Sequence, residues 1–124
     1  LHKNYPIMGI CLGHQSIGQS FGGKIVQSPE IIHGKISEIN HNNHFLFNNI
    51  PSNFKATRYH SLIIENNTLN KDLEIIAKTN NNIIMGIAHK KYNICGVQFH
   101  PESIGTEIGK ILFKNYLTLI NYVD

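Results

Sequence analysis

Gly9-Ile10-Cys11-Leu12-Gly13-His14-Gln15 reads as a strand that runs into a helix through a cysteine. Apolar residues lead in, glycines stand on both sides of Cys11, and a helix-compatible stretch follows at once. A sharp strand-to-helix turn of this kind exposes the side chain at its apex and gathers backbone N–H groups around it. The thiolate is the reactive form of cysteine, and a helix N-terminus with a nearby imidazole favours it. The bland alternative is a buried structural cysteine, the commoner fate of a lone one. The glycines weigh against it, because a packed strand gains nothing from them and a cramped elbow needs them.

Far downstream, the apolar run Ile94-Cys95-Gly96-Val97-Gln98-Phe99 ends in His100-Pro101-Glu102. The chain has eight histidines, and a single one is usually surface decoration. His100 stands apart by its place at a strand end, which makes it the candidate general base and acid. Positions two apart in an extended segment face the same side, so Glu102 can orient His100 and stabilise its protonated form. Alone, His-Pro-Glu reads equally well as a solvated loop. Joined to the elbow, it completes a Cys-His-Glu set. Cys95 lies inside its apolar run without flanking glycines and is assigned to the core. A metal site built with Cys11 lacks a close-spaced ligand pair, and none is expected.

With 124 residues, the chain is long enough for one domain with a real core, taken as 1–124. The chain is 41% hydrophobic and only 15% charged, which fits a globular enzyme and not a disordered tail. The formal charge of +3 is scattered, with Arg58 the sole arginine, so no nucleic-acid footprint is present. Two cysteines make no disulfide scaffold, and no apolar stretch approaches membrane-spanning length. A cytoplasmic location is expected. The sequon Asn66-Asn67-Thr68 is read as chance.

Pattern and turn signals predict strands at 7–10, 24–27, 34–40, 54–59, 74–79, 83–89 and 94–100. The first of these reads as buried on both faces. Helices are expected at 14–21 and 106–122, the second with Ile108, Ile111, Leu112, Asn115 and Leu119 on one face. A helical turn is expected at 45–50, and Asn80-Asn81-Asn82 marks a hairpin. The fold class is α/β: a parallel strand–elbow–helix core with an antiparallel layer added. A pure β sandwich sits badly with the elbow and the closing helix.

The two quoted motifs, Gly9 to Gln15 and Gly96-Val97-Gln98-Phe99-His100-Pro101-Glu102-Ser103, resemble the class I (triad) glutamine amidotransferases. Between and after them, His33-Gly34-Lys35, Arg58-Tyr59-His60-Ser61-Leu62, Glu102-Ser103-Ile104, Thr106-Glu107 and Gly109-Lys110 look like the glutaminase subunits of anthranilate synthase or aminodeoxychorismate synthase. The resemblance spans nearly the whole chain.

It implies a flavodoxin-like sheet and hydrolysis of L-glutamine by Cys11, His100 and Glu102. Gln15, Ser61 and Leu62 would hold the glutamine, and the Leu12 N–H would serve the oxyanion hole. By the residues alone, Gln15 reads equally as a helix-surface amide and 59–61 as a polar pocket rim. The implied partner is a chorismate-using synthase subunit, component I, in a heteromeric complex. No cofactor is expected in this chain, Mg²⁺ belonging to the synthase. The 33–35 segment would lie near that partner, or is simply a turn before a strand. The family also places strands, helices and a second, glycine-loop oxyanion donor before the nucleophile. The expectation is therefore a C-terminal portion with its N-terminal part missing, poorly active alone. Other readings are a cysteine peptidase on the same elbow and a non-catalytic amidotransferase-like subunit.

Overall fold

The computed structural model describes residues 7–28, 35–58, 62–101 and 106–121. Strand β1 (Ile7–Ile10) enters helix α1 (Leu12–Ser20) through Cys11 alone. Then come β2 (Ile25–Gln27), β3 (Lys35–His41), a 3-10 turn (Phe45–Phe47), β4 (Asn53–Arg58) and β5 (Leu62–Ile64). A second 3-10 turn (Asn66–Thr68), β6 (Leu73–Thr79), β7 (Ile84–His89), β8 (Ile94–Val97) and α2 (Thr106–Asn121) complete the order.

Six strands form one mixed sheet in the order β1-β8-β7-β6-β3-β4, and β2 and β5 form a small antiparallel ribbon. Only β1 and β8 run parallel among the described strands. The other neighbours are antiparallel, so the antiparallel part continues the same sheet beyond the parallel pair. The expected α/β class holds, with the two characters side by side in one sheet. The hairpin between β6 and β7 falls at the predicted asparagines, with Asn82 at φ 66, a conformation asparagine tolerates better than most residues. Strand β5 has no counterpart among the expected elements. At three residues it is too short for alternation to show.

Alternation along β1 and β8 divides the core. Ile94, with Ile7 packed beside it, belongs to a cluster with Ile17 of α1, Ile64, Ile84 and Ile87. Cys95 and Val97, with Met8 and Ile10 beside them, face the opposite cluster, which holds Leu112 of α2, Leu46, Phe47 and Phe99. The two helices therefore cover opposite faces of the sheet. Asn115 anchors α2 from the predicted face: its Nδ2 donates to the carbonyls of Leu46 and Asn48 at 2.9 and 2.7 Å. Burial on both faces of β1 is only partly realised. Gly9 is buried, but Ile7, Met8 and Ile10 are half-buried, and β1 is the edge of the described sheet. An apolar cleft of about 340 Å³ runs along it, lined by Ile7, Met8, Gly13, Ile17 and Phe21 among others.

Candidate active site

The elbow is set by two glycines in register. Gly9 on β1 pairs with Gly96 on β8. Together they remove side chains from the floor on which the first turn of α1 rests. A Cβ on Gly9 would stand 2.5 Å from the Gly13 carbonyl carbon and 2.7 Å from the His14 nitrogen, both backbone atoms that cannot swing away. A Cβ on Gly96 would stand 3.0 Å from His14 Cα and 3.1 Å from its Cβ. His14 itself is fully buried in this contact. Gly13 behaves differently from expectation. A Cβ there would meet nothing within 4 Å, so the elbow needs the glycine before the cysteine and not the one after it.

Cys11 sits at φ 55, ψ −100, outside the regions that residues with a Cβ normally occupy. Its backbone is tied on both sides. The Cys11 N–H donates to the Val97 carbonyl at 2.8 Å, and the Cys11 carbonyl accepts from the Gln15 N–H at 3.1 Å. The position is the N-cap of α1, yet its side chain makes no capping bond. The sulfur is thus left for chemistry at a helix end whose N–H groups lack intrahelical acceptors. Leu12, the expected oxyanion donor, is the first residue of α1 and is 71% exposed.

Gln15 is buried, contrary to a helix-surface amide. Its Nε2 donates to the Leu62 carbonyl at 2.9 Å and to Gln98 Oε1 at 3.2 Å. Gln98 Nε2 in turn donates to Cys11 Sγ at 3.6 Å. The structure thus brings together Cys11, Gln15 and Leu62 from the expected set, and adds Gln98. Sequence reasoning passed over Gln98, although a polar residue between the apolar Val97 and Phe99 was a usable signal.

His100 stands three residues past the end of β8, which closes at Val97 and not at 100. Gln98 and Phe99 bend between the strand end and His100. Glu102 and Ser61 lie outside the described residues, as do His33, Gly34, Tyr59 and His60. Because β1 and β8 are parallel and adjacent, Cys11 and His100 both follow the carboxyl ends of neighbouring strands. In open α/β sheets, that end is where ligands bind.

Cys95 is the contrasting thiol. It is buried between β1 and β7, and burial pushes its thiol up to about 12. The Tyr116 hydroxyl is likewise pushed up to about 12, chiefly by burial and secondarily by Cys95.

Residues 1–119 match the family model described as glutamine amidotransferase class-I. The chain belongs to that family. Within the class-I amidotransferases it is 52% identical over 122 residues to anthranilate synthase component 2 of Cyanophora paradoxa, covering 98% of this chain and 64% of the relative. Against anthranilate synthase component 2 of Porphyra purpurea the identity is 53% over 118 residues, 94% of this chain and 62% of that protein. The chain spans less than two thirds of the length of these curated relatives. Among solved structures, a GMP synthase protein from Thermoplasma acidophilum superposes with a TM-score of 0.87 at 29% identity, over 97% of this chain and 59% of that one. No helix among the described residues is long and apolar enough to cross a membrane.

Proposed function

We propose that this chain carries the glutaminase site of anthranilate synthase component 2. The observation that supports it most is Cys11, held at positive φ at the head of α1 with its side chain uncommitted to capping. In this reading Cys11 attacks the side-chain amide carbon of glutamine. His100 takes the thiol proton and delivers it to the departing nitrogen. The C–N bond breaks, ammonia leaves, and a γ-glutamyl thioester remains. Water then attacks the thioester as His100 takes one of its protons, the C–S bond breaks, His100 passes that proton to sulfur, and glutamate leaves. The Leu12 N–H faces the oxyanion. Glu102 orients His100, while Gln15, Ser61 and Leu62 bound the glutamine pocket. Ammonia passes to a synthase partner that aminates chorismate, a step of tryptophan biosynthesis in the cytoplasm. The Mg²⁺ of that step belongs to the partner, and no cofactor is assigned to this chain.

The test combines the full-length natural protein with an anthranilate synthase component I. Glutamine and chorismate should yield fluorescent anthranilate. Production of aminodeoxychorismate with its own synthase, and no anthranilate, would move the assignment to that alternative. Assembly with no glutamine hydrolysis at all would leave only a non-catalytic subunit.

Two further outcomes follow from the site. A glutamine-like diazo-ketone should alkylate Cys11 and spare Cys95, whose thiol is buried and held protonated. Equal labelling of both in folded protein would remove the distinction. Glu102→Gln should lower kcat by about a hundredfold and change KM little, because its contact with His100 strengthens as charge develops there. A raised KM at unchanged kcat would make Glu102 a binding residue.

A further inference from the structure

The sulfur of Cys11 faces an amide that neither the strand nor the elbow requires. Gln98 is 1% exposed, one residue past β8 and flanked by buried Val97 and Phe99. Burying a primary amide is costly unless its donors and its acceptor are engaged. Here they are engaged in series. The Leu62 carbonyl accepts from Gln15, Gln15 donates also to Gln98 Oε1, and Gln98 Nε2 donates to Cys11 Sγ.

The direction of this series is set by the Leu62 carbonyl. The oxygen and nitrogen of an amide are nearly alike in shape, so only the surrounding network orients them. A backbone carbonyl can only accept, which turns the Gln15 NH₂ toward it. The same nitrogen then lies 3.2 Å from Gln98, which must present its oxygen. That leaves the Gln98 NH₂ on the sulfur. The reverse orientation would set two NH₂ groups against each other.

The geometry points to Gln98 as the donor that presets Cys11 as a thiolate, held in aim by Gln15 and the Leu62 carbonyl. A hydrogen bond to the charged form favours that form, and N–H donors bind an anionic sulfur far better than a neutral thiol. Nucleophilicity falls only partly as thiol acidity rises, so near neutral pH a larger thiolate fraction raises the attack rate. The bond also holds Sγ in one direction before glutamine arrives. Gln15 thereby acquires a positioning role beside any contact with substrate. The inference rests on the reading of Cys11 as nucleophile.

The experiment measures alkylation of Cys11 by iodoacetamide between about pH 5 and pH 10 in the full-length protein, quantified on the Cys11 peptide by mass spectrometry. Gln98→Glu keeps the shape and the acceptor for Gln15 but turns an acceptor toward sulfur. Gln98→Met removes both groups at similar length. His14 of α1, Cys95 of β8 and His100 beyond it, the titratable side chains of the elements that adjoin Cys11, are retained in both variants. In each folded variant the midpoint should rise by about one pH unit or more. The kcat for glutamine hydrolysis should fall about tenfold, with KM changed less. If the Met variant does not fold, the Glu variant decides. A folded Glu variant with the wild-type midpoint overturns the inference, whatever its turnover. A shifted midpoint in a protein that hydrolyses no glutamine upholds the donor and defeats the glutaminase reading instead.

Discussion

Under the proposed function, Cys11→Ser should lower glutamine-dependent anthranilate formation by the assembled enzyme by about a thousandfold or more and leave ammonia-dependent formation intact. The reason lies in the elbow. The Cys11 backbone is fixed by Val97 and Gln15, so serine takes the same place and the fold is preserved. A serine hydroxyl at that place ionises far less readily than a thiol, so the proposed His100 base faces a much less acidic proton. Under the proposed division of labour, only ammonia connects the two reactions. Free ammonia therefore rescues the mutant completely. The check is anthranilate fluorescence with glutamine and with ammonium salt, beside a sedimentation measurement showing that the mutant still assembles. Loss of both activities in an assembled mutant would defeat the division.

Gly9→Ala destabilises the protein by about 3 kcal/mol or more, while Gly13→Ala leaves stability unchanged or slightly raised. The first methyl would lie 2.5 Å from the Gly13 carbonyl carbon and 2.6 Å from its oxygen. Those atoms belong to the first turn of α1, so relief requires lifting the helix off the sheet. Lifting it moves Cys11 and breaks the register in which Gly9 faces Gly96. At Gly13 a methyl meets open space, and alanine is the better helix former. Thermal unfolding reads both: a melting point lower by roughly 10 °C for the first, and no loss for the second. Equal effects at the two positions would mean that the elbow is held by chain flexibility and not by close backbone approach.

Gly13 shows how far pattern reading reaches. Two glycines around a cysteine announce a tight turn, and the turn is there. Which glycine bears the constraint depends on what lies across the turn, and a one-dimensional string does not contain that. Strand β8 gives a second case. Its apolar run continues to Phe99, but the strand closes at Val97: the Gln98 N–H still reaches the Met85 carbonyl of β7 at 2.9 Å, while Gln98 and Phe99 already bend. The residues beyond are buried by the fold without being strand.

Local chemistry and periodicity determined the elbow, the identity of the nucleophile candidate, the closing amphipathic helix, the asparagine hairpin and the α/β class. All of these depend on neighbours within a few positions, where propensity, turn geometry and alternation act directly. Only the tertiary structure decided that antiparallel strands extend the β1–β8 pair in one sheet. It alone set Gly9 opposite Gly96 under His14, and linked Leu62, Gln15, Gln98 and Cys11 through their amides. Those contacts join residues 47 to 87 positions apart. Their formation rests on register and on the requirement that buried amides find partners, conditions met only when the separate elements pack together.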